Sequence, residues 1–184
     1  FNRPLFLATA NWGKRNLRNR DRHIRYFESI NRKCVGDLIA EQKYYQEKNH
    51  SSVPLPAIYD GLSFIFEGYN YSYRTATDRE HLVKHFEQFS NRLSYAFPPP
   101  EELVNRIGYR FLRSNSPEEQ NKALSFFELN AENYPASFNV FDSLGEAQYK
   151  LGQKEEAIQS FKKSLELNAE NANARKMLKQ LIKE

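Results

Sequence analysis

The sequence predicts an α+β chain, mostly helical, in which a short strand–helix–strand–helix stretch precedes packed pairs of helices. Three observations carry this. Two β-type runs alternate with helical patterns in the first 70 residues. Pro98-Pro99-Pro100 interrupts the chain, since proline lacks the N–H that a helix needs. Beyond that break, small and aromatic residues recur 34 positions apart, Ala123 with Ala157 and Phe127 with Phe161. The expected division is a sheet-forming portion over 1–70, a helical linker over 71–100 and a helical array over 101–184.

The elements follow in order. Residues Arg3 to Ala10 are short, apolar and Pro-led, which reads as a strand covered on both faces. A polar, basic loop leads to Asp21, which can cap a helix running to about Arg32 with Ile24, Phe27 and Ile30 on one side. Leu38 to Gln46 is the second strand candidate. The loop Glu47 to Pro54 then feeds a helix near Pro56–Phe66, with Ile58, Leu62 and Ile65 spaced for one face. Two strands and two helices are too few to finish an α/β domain. Residues 1–70 are therefore expected to be the end of a larger sheet domain whose earlier strands lie outside this sequence. Asn70–Thr77 is a connector. Asp78 to about Asn91 is a helix with Leu82, Phe86 and Phe89 on one face.

Composition limits the function classes. With 40% hydrophobic and 14% aromatic residues, the chain has ample material for a core. No apolar run approaches the ~18–20 residues of a membrane span. A single cysteine, Cys34, excludes an internal disulfide framework and a multi-cysteine zinc site. The net charge is +4, and residues 1–50 hold 11 Lys/Arg against 5 Asp/Glu. The excess sits in Lys14, Arg15, Arg18, Arg20, Arg22 and Arg25. Such a patch can attract phosphates, but no nucleic-acid motif accompanies it, so a solvated loop and helix start is the preferred reading and no nucleic-acid partner is expected. Phe1 in first position, with no signal-like segment after it, reads as a cut site. The compartment is left open, an extracytoplasmic one included.

The 34-residue period is that of the tetratricopeptide repeat. Phe138–Asn171 resembles that family through Phe141, Leu144-Gly145, Ala147, Tyr149, Gly152, Ala157 and Phe161, with Ser164 and Ala169 as mild departures. Residues Glu101–Ser137 form a looser copy, keeping Gly108, Ala123, Phe127 and Pro135, with a longer turn at Ser114–Glu119. Ala172–Lys183, with Met177, Leu178 and Leu181, suits a capping helix. The resemblance implies a peptide or protein partner on the inner face. Asn139, Asp142, Ser143 and Glu146 there do not resemble the Lys/Asn/Arg clamp of some relatives. A structural appendage or a homodimer surface is the plainer alternative.

Four histidines are present. His81 and His85 have metal-compatible spacing, but no third ligand and no zinc-protease Glu accompany them, so no metal and no cofactor are expected. His23 falls at the basic helix start and reads as a surface residue. His50 differs: it follows a strand candidate and sits in a polar loop before a helix. That is where a base belongs at the C-terminal edge of an α/β sheet. Imidazole suits the task because it takes and returns a proton near neutral pH.

The stretch His50–Gly68, HSSVPLPAIYDGLSFIFEG, resembles the C-terminal segment of the α/β-hydrolase esterase family, which includes enzymes similar to siderophore esterases. His50, Val53, Pro54, Tyr59, Gly61-Leu62 and Phe64–Phe66 carry the likeness. Some bacterial members continue through a helical linker into tetratricopeptide repeats, and Tyr95–Pro100, Asn105, Gly108-Tyr109 and Tyr134-Pro135 through Glu146 are similar to that extension. The resemblance implies His50 as the catalytic base of a serine carboxylic-ester hydrolase. The nucleophile elbow G-x-S-x-G is missing from this sequence, so the nucleophile is expected from an upstream part of the same domain and the chain alone is expected to be inactive. The acid should follow the first strand, yet Asn11–Arg20 holds no Asp or Glu, which leaves Asp21 as the first candidate. The alternative function is a tetratricopeptide interaction module carrying a non-catalytic hydrolase remnant.

Overall fold

The computed structural model describes residues 4–11, 13, 16–33 and 38–182. Cys34, Lys14, Arg15 and the Lys183 end of the last helix lie outside the described residues. The order is β1 (Leu5–Ala10), α1 (Asn16–Lys33), β2 (Ala40–Tyr45), α2 (Pro54–Ile65), α3 (Arg79–Leu93), α4 (Glu101–Leu112), α5 (Pro117–Asn133), α6 (Phe138–Lys150), α7 (Lys154–Leu167) and α8 (Ala172–Leu181). The fold is thus mostly helical α+β with one small parallel sheet. The chain divides into two compact units, 1–70 with 87–97 and 71–86 with 98–184.

In the first unit, β1 and β2 pair in parallel, Leu5 opposite Ala40 through Ala10 opposite Tyr45. Parallel strands need a crossover, and α1 supplies it. The structure corrects the start of α1. It begins at Asn16, so Asp21 lies inside the helix and is not its cap. The first turn of α1 holds no acidic residue, so Asp21, the first carboxylate in the stretch, reads as the cap and places the start too late. Of the expected apolar side of α1, Ile24 is 38% exposed.

Helix α2 begins two residues earlier than expected, with Pro54 and Pro56 in its first turn, where a missing N–H costs nothing. It packs on β1 through Gly61, where a β-carbon would lie 3.3 Å from the Phe6 ring. Phe64 sits 6.0 Å from Phe6. The expected α2 face is corrected too: Ile58 and Leu62 are exposed, along with Leu55 and Tyr59, and only Gly61 is buried. An apolar trough of about 520 Å³ runs along β1 and α2, with Phe6, Ala8, Ile58 and Leu62 in its walls. The strand is not covered on both faces by the described residues either, since Leu5, Phe6 and Leu7 are half-buried and Ala8 is exposed. What closes this unit is aromatic: Phe89 contacts Phe66, Tyr69 and Phe97 at 6.3, 5.3 and 5.2 Å between ring centres. Arg92 Nη2 donates to the Phe64 carbonyl at 2.7 Å.

The second unit is built from helix pairs, α4 with α5 and α6 with α7, each packed on the next, with α8 on α7. Gly108 and Gly145 explain the intimacy of the pairs. A β-carbon at Gly108 would lie 2.7 Å from the Phe127 ring, and one at Gly145 2.9 Å from Phe161. Ala123, Ala157, Phe127 and Phe161 are all fully buried. Two buried polar side chains 34 residues apart do equivalent work. Asn130 Nδ2 donates to the Glu101 carbonyl at 3.1 Å, and Ser164 Oγ donates to the Phe138 carbonyl at 2.9 Å. Each donates to a carbonyl at the start of the preceding helix, tying the two helices of a pair together. Ser164 also accepts from Asn171 Nδ2 at 2.8 Å, so this departure from the repeat pattern puts its hydroxyl to full use. The α6–α7 turn closes at Gly152, whose φ of +78° is cheap for glycine. Contrary to the expected turn over Ser114–Glu119, α5 has already begun at Pro117.

Candidate functional site

The parallel register brings Ala10 and Tyr45, the C-terminal residues of β1 and β2, to one edge of the sheet. Two asparagines organise the chain there. The Asn11 N–H donates to the Lys48 carbonyl at 2.8 Å, and Asn11 Nδ2 donates to the Gln46 carbonyl at 2.9 Å. The exit of β1 is thereby tied to the exit of β2. Asn49 then forms a tight turn around His50. Its Oδ1 accepts from the Ser51 and Ser52 N–H groups at 3.0 and 3.1 Å, while Ser52 Oγ accepts from the Asn49 N–H at 3.0 Å. Asparagine suits this because its side chain mimics a backbone turn. His50 is therefore an exposed residue in a pinned turn, at the C-terminal edge of the sheet, directly before α2.

Below the turn, α2 is fastened to β2 by a polar cluster. Asp60 Oδ2 accepts from Lys43 Nζ and from the Tyr45 hydroxyl, both at 2.6 Å. The hydrogen bond from Lys43, then that from Tyr45, hold the Asp60 carboxyl below the usual carboxylate range. Burial and the Asp60 hydrogen bond push Tyr45 well above the usual tyrosine range. A depressed carboxylate contributes stability above its unfolded value of ~3.9 and loses it as pH falls through the folded value. Asp60→Asn is therefore expected to destabilise the chain at neutral pH, with the gap to wild type narrowing below about pH 4. Thermal melts of both proteins across that window measure it; a constant gap would mean that the carboxylate charge is immaterial.

Asp21 is placed elsewhere in this unit. Its carboxylate is exposed on α1, 3.6 Å from Arg20 Nε, and its backbone carbonyl accepts from Arg25 Nε. Both contacts tie Asp21 to arginines of its own helix. In the second unit, His81 Nδ1 shares a hydrogen bond with the Tyr71 hydroxyl at 2.8 Å, and the His85 ring packs edge-on against Tyr71. Among the described residues no three His, Cys, Asp or Glu side chains converge as metal ligands would. Among them, too, no helix is long and apolar enough to cross a membrane. Asn11 and Asn49 are the residues that sequence reasoning missed. The signal is present in Asn49-His50-Ser51-Ser52, a composition typical of side-chain-mimicked turns.

The chain is similar in fold to an IroE-like serine hydrolase from Shewanella oneidensis, with a TM-score of 0.55 and 18% sequence identity, over 72% of this chain and 42% of that one. The fold is therefore hydrolase-like, and the chain spans less than half the length of that hydrolase. The first unit ends at residue 97, so a match over 72% of the chain extends into the helices beyond it. No protein-family model matches the chain, and no curated protein matches it.

Proposed function

We propose that this chain is the C-terminal part of a serine carboxylic-ester hydrolase, with His50 as its general base and the nucleophilic serine supplied by an upstream part of the same domain. The observation that carries the proposal is the placement of His50. It lies in a turn fixed from both sides, at the C-terminal edge of parallel strands, in a fold similar to that of a serine hydrolase. The open trough along β1 and the exposed stripe Leu55, Ile58, Tyr59 and Leu62 support an upstream partner segment. Leu55 is 82% exposed, and burying such a side chain is worth roughly 1.5–3 kcal/mol, so covering the stripe stabilises the assembled domain. A parallel two-stranded sheet open on its faces is also rare on its own.

In this mechanism His50 takes the proton from the serine hydroxyl as the acyl-enzyme forms and delivers it to the leaving alcohol. It then repeats the exchange with water. Asp21 is the candidate orienting carboxylate; taking that role requires it to leave Arg20 for the imidazole. The helices α4–α8 are, in this reading, a tetratricopeptide-type extension of two repeats and a capping helix.

The test compares two proteins against a short-chain aryl ester. One is the 184-residue chain, expected to be inactive. The other extends upstream through a G-x-S-x-G segment and is expected to turn the ester over. Equal activity in both, or none in the longer one, would sink the reading.

A further inference from the structure

The second unit ends in an incompletely covered helix. Helix α8 turns Ala174 and Leu181 into the core, with Met177, Leu178 and Leu165 of α7 half-buried against it. Its outer stripe, Arg175, Leu178, Lys179 and Ile182, lies beside Leu165 of α7 and bounds a groove of about 320 Å³. Ile182 is 69% exposed there.

The internal 34-residue spacing says what kind of object this face receives. Leu178, Lys179 and Ile182 stand 34 residues after Leu144, Gly145 and Gln148 of α6. Those α6 residues face α7: Gly145 admits the Phe161 ring, and Gln148 Oε1 accepts from Ser160 Oγ at 2.6 Å. The face that α8 leaves open is thus the counterpart of the one on which α6 receives a helix. Lys179 stands at the position equivalent to Gly145, so a ring cannot approach as Phe161 does. A helix seated here must keep its distance from the backbone and meet a cation.

Charge identifies the occupant. Helix α8 carries Arg175, Lys176 and Lys179 and no acidic residue. Arg175 Nη2 already donates to the Ala169 carbonyl at 2.6 Å and lies 3.9 Å from Glu170 Oε1, which leaves Lys179 as the exposed cation of the groove. Two copies of α8 face to face would oppose like charges, which is costly at an interface. We propose that the α7–α8 groove docks an acidic amphipathic helix of a partner protein, its apolar stripe on Leu165, Leu178 and Ile182 and a carboxylate on Lys179. This proposal is independent of the role given to His50.

The experiment uses the 184-residue chain and a labelled synthetic helix with Leu along one face and Glu elsewhere. Fluorescence anisotropy should report saturable binding, weaker for the same composition with the Leu stripe scrambled. Ile182→Asp and Lys179→Glu should each weaken it at least about tenfold, a difference of roughly 1.4 kcal/mol. Lys179→Glu should gain affinity for the helix with Lys in place of Glu. Arg106→Glu, on α4, should change nothing. Circular dichroism checks that each variant keeps its helices. No binding, or equal binding to all variants, overturns the proposal. So does sedimentation showing a homodimer that Ile182→Asp dissociates, because the groove would then hold a second copy.

Discussion

Phe161→Ala is expected to lower the stability of the chain by about 3–5 kcal/mol, the range for emptying a fully buried aromatic site. The residue is 0% exposed and packs with Ala157, Ala174 and Leu181, so α6, α7 and α8 all lose contact at once. The hole cannot close cheaply, because Gly145 offers no side chain to fill it. Urea unfolding followed by helical circular dichroism should show a lower midpoint with little change in slope. Gly145→Ala is the complementary change: its new β-carbon meets the ring at 2.9 Å, and such overpacking costs about 1–3 kcal/mol. The double variant decides the argument. With the ring gone the β-carbon at 145 meets open space, so the combined loss should fall short of the two single losses added together. Strict additivity would mean that the glycine and the phenylalanine are not a mated pair.

That pair is legible in the amino-acid order itself, because small and aromatic residues at helical spacing recur at a fixed period. The face of α3 is legible for the same reason, and Leu82, Phe86 and Phe89 are all buried. The failures have physical causes. The first turn of α1 holds no acidic residue, and several cap-type residues (Asn16, Asn19, Asp21) compete for its start, so local composition does not fix the boundary. Ile58 and Leu62 read as core because an amphipathic pattern says which face is apolar and not what lies against it. Ser164 reads as a departure from a small apolar residue. Its use depends on the Phe138 carbonyl and on Asn171, neither of which is adjacent to it in sequence. At the candidate site, the position of His50 after a strand and before a helix is readable. The clamp from Asn11 to Gln46 and Lys48 is not, since it spans 35 residues or more and exists only once the parallel register is formed.

The same clamp shapes what is expected of His50 in the extended hydrolase. Removing a general base that works in both half-reactions should lower kcat by ~10²–10⁴, with KM little changed, because the imidazole acts on the proton in flight and does not hold the ester. His50→Ala in the longer protein is therefore expected to retain substrate binding and lose turnover. Added imidazole should restore part of the rate to the alanine variant, whose vacated turn is open to solvent because His50 is exposed. Asn11→Ala and Asn49→Ala keep the histidine but release its turn from the Gln46 carbonyl and from the Ser51 and Ser52 N–H groups. They should cost less than His50→Ala and should not respond to imidazole, since misplacing a base differs from lacking one. Asp21→Asn separates the remaining roles. A fall in kcat comparable to that of the asparagine variants would make Asp21 the partner that turns the imidazole, whereas an unchanged rate would leave it as the neighbour of Arg20 on α1. Full turnover by His50→Ala would remove the histidine from the chemistry altogether, and with it the reason for reading this edge of the sheet as a catalytic one.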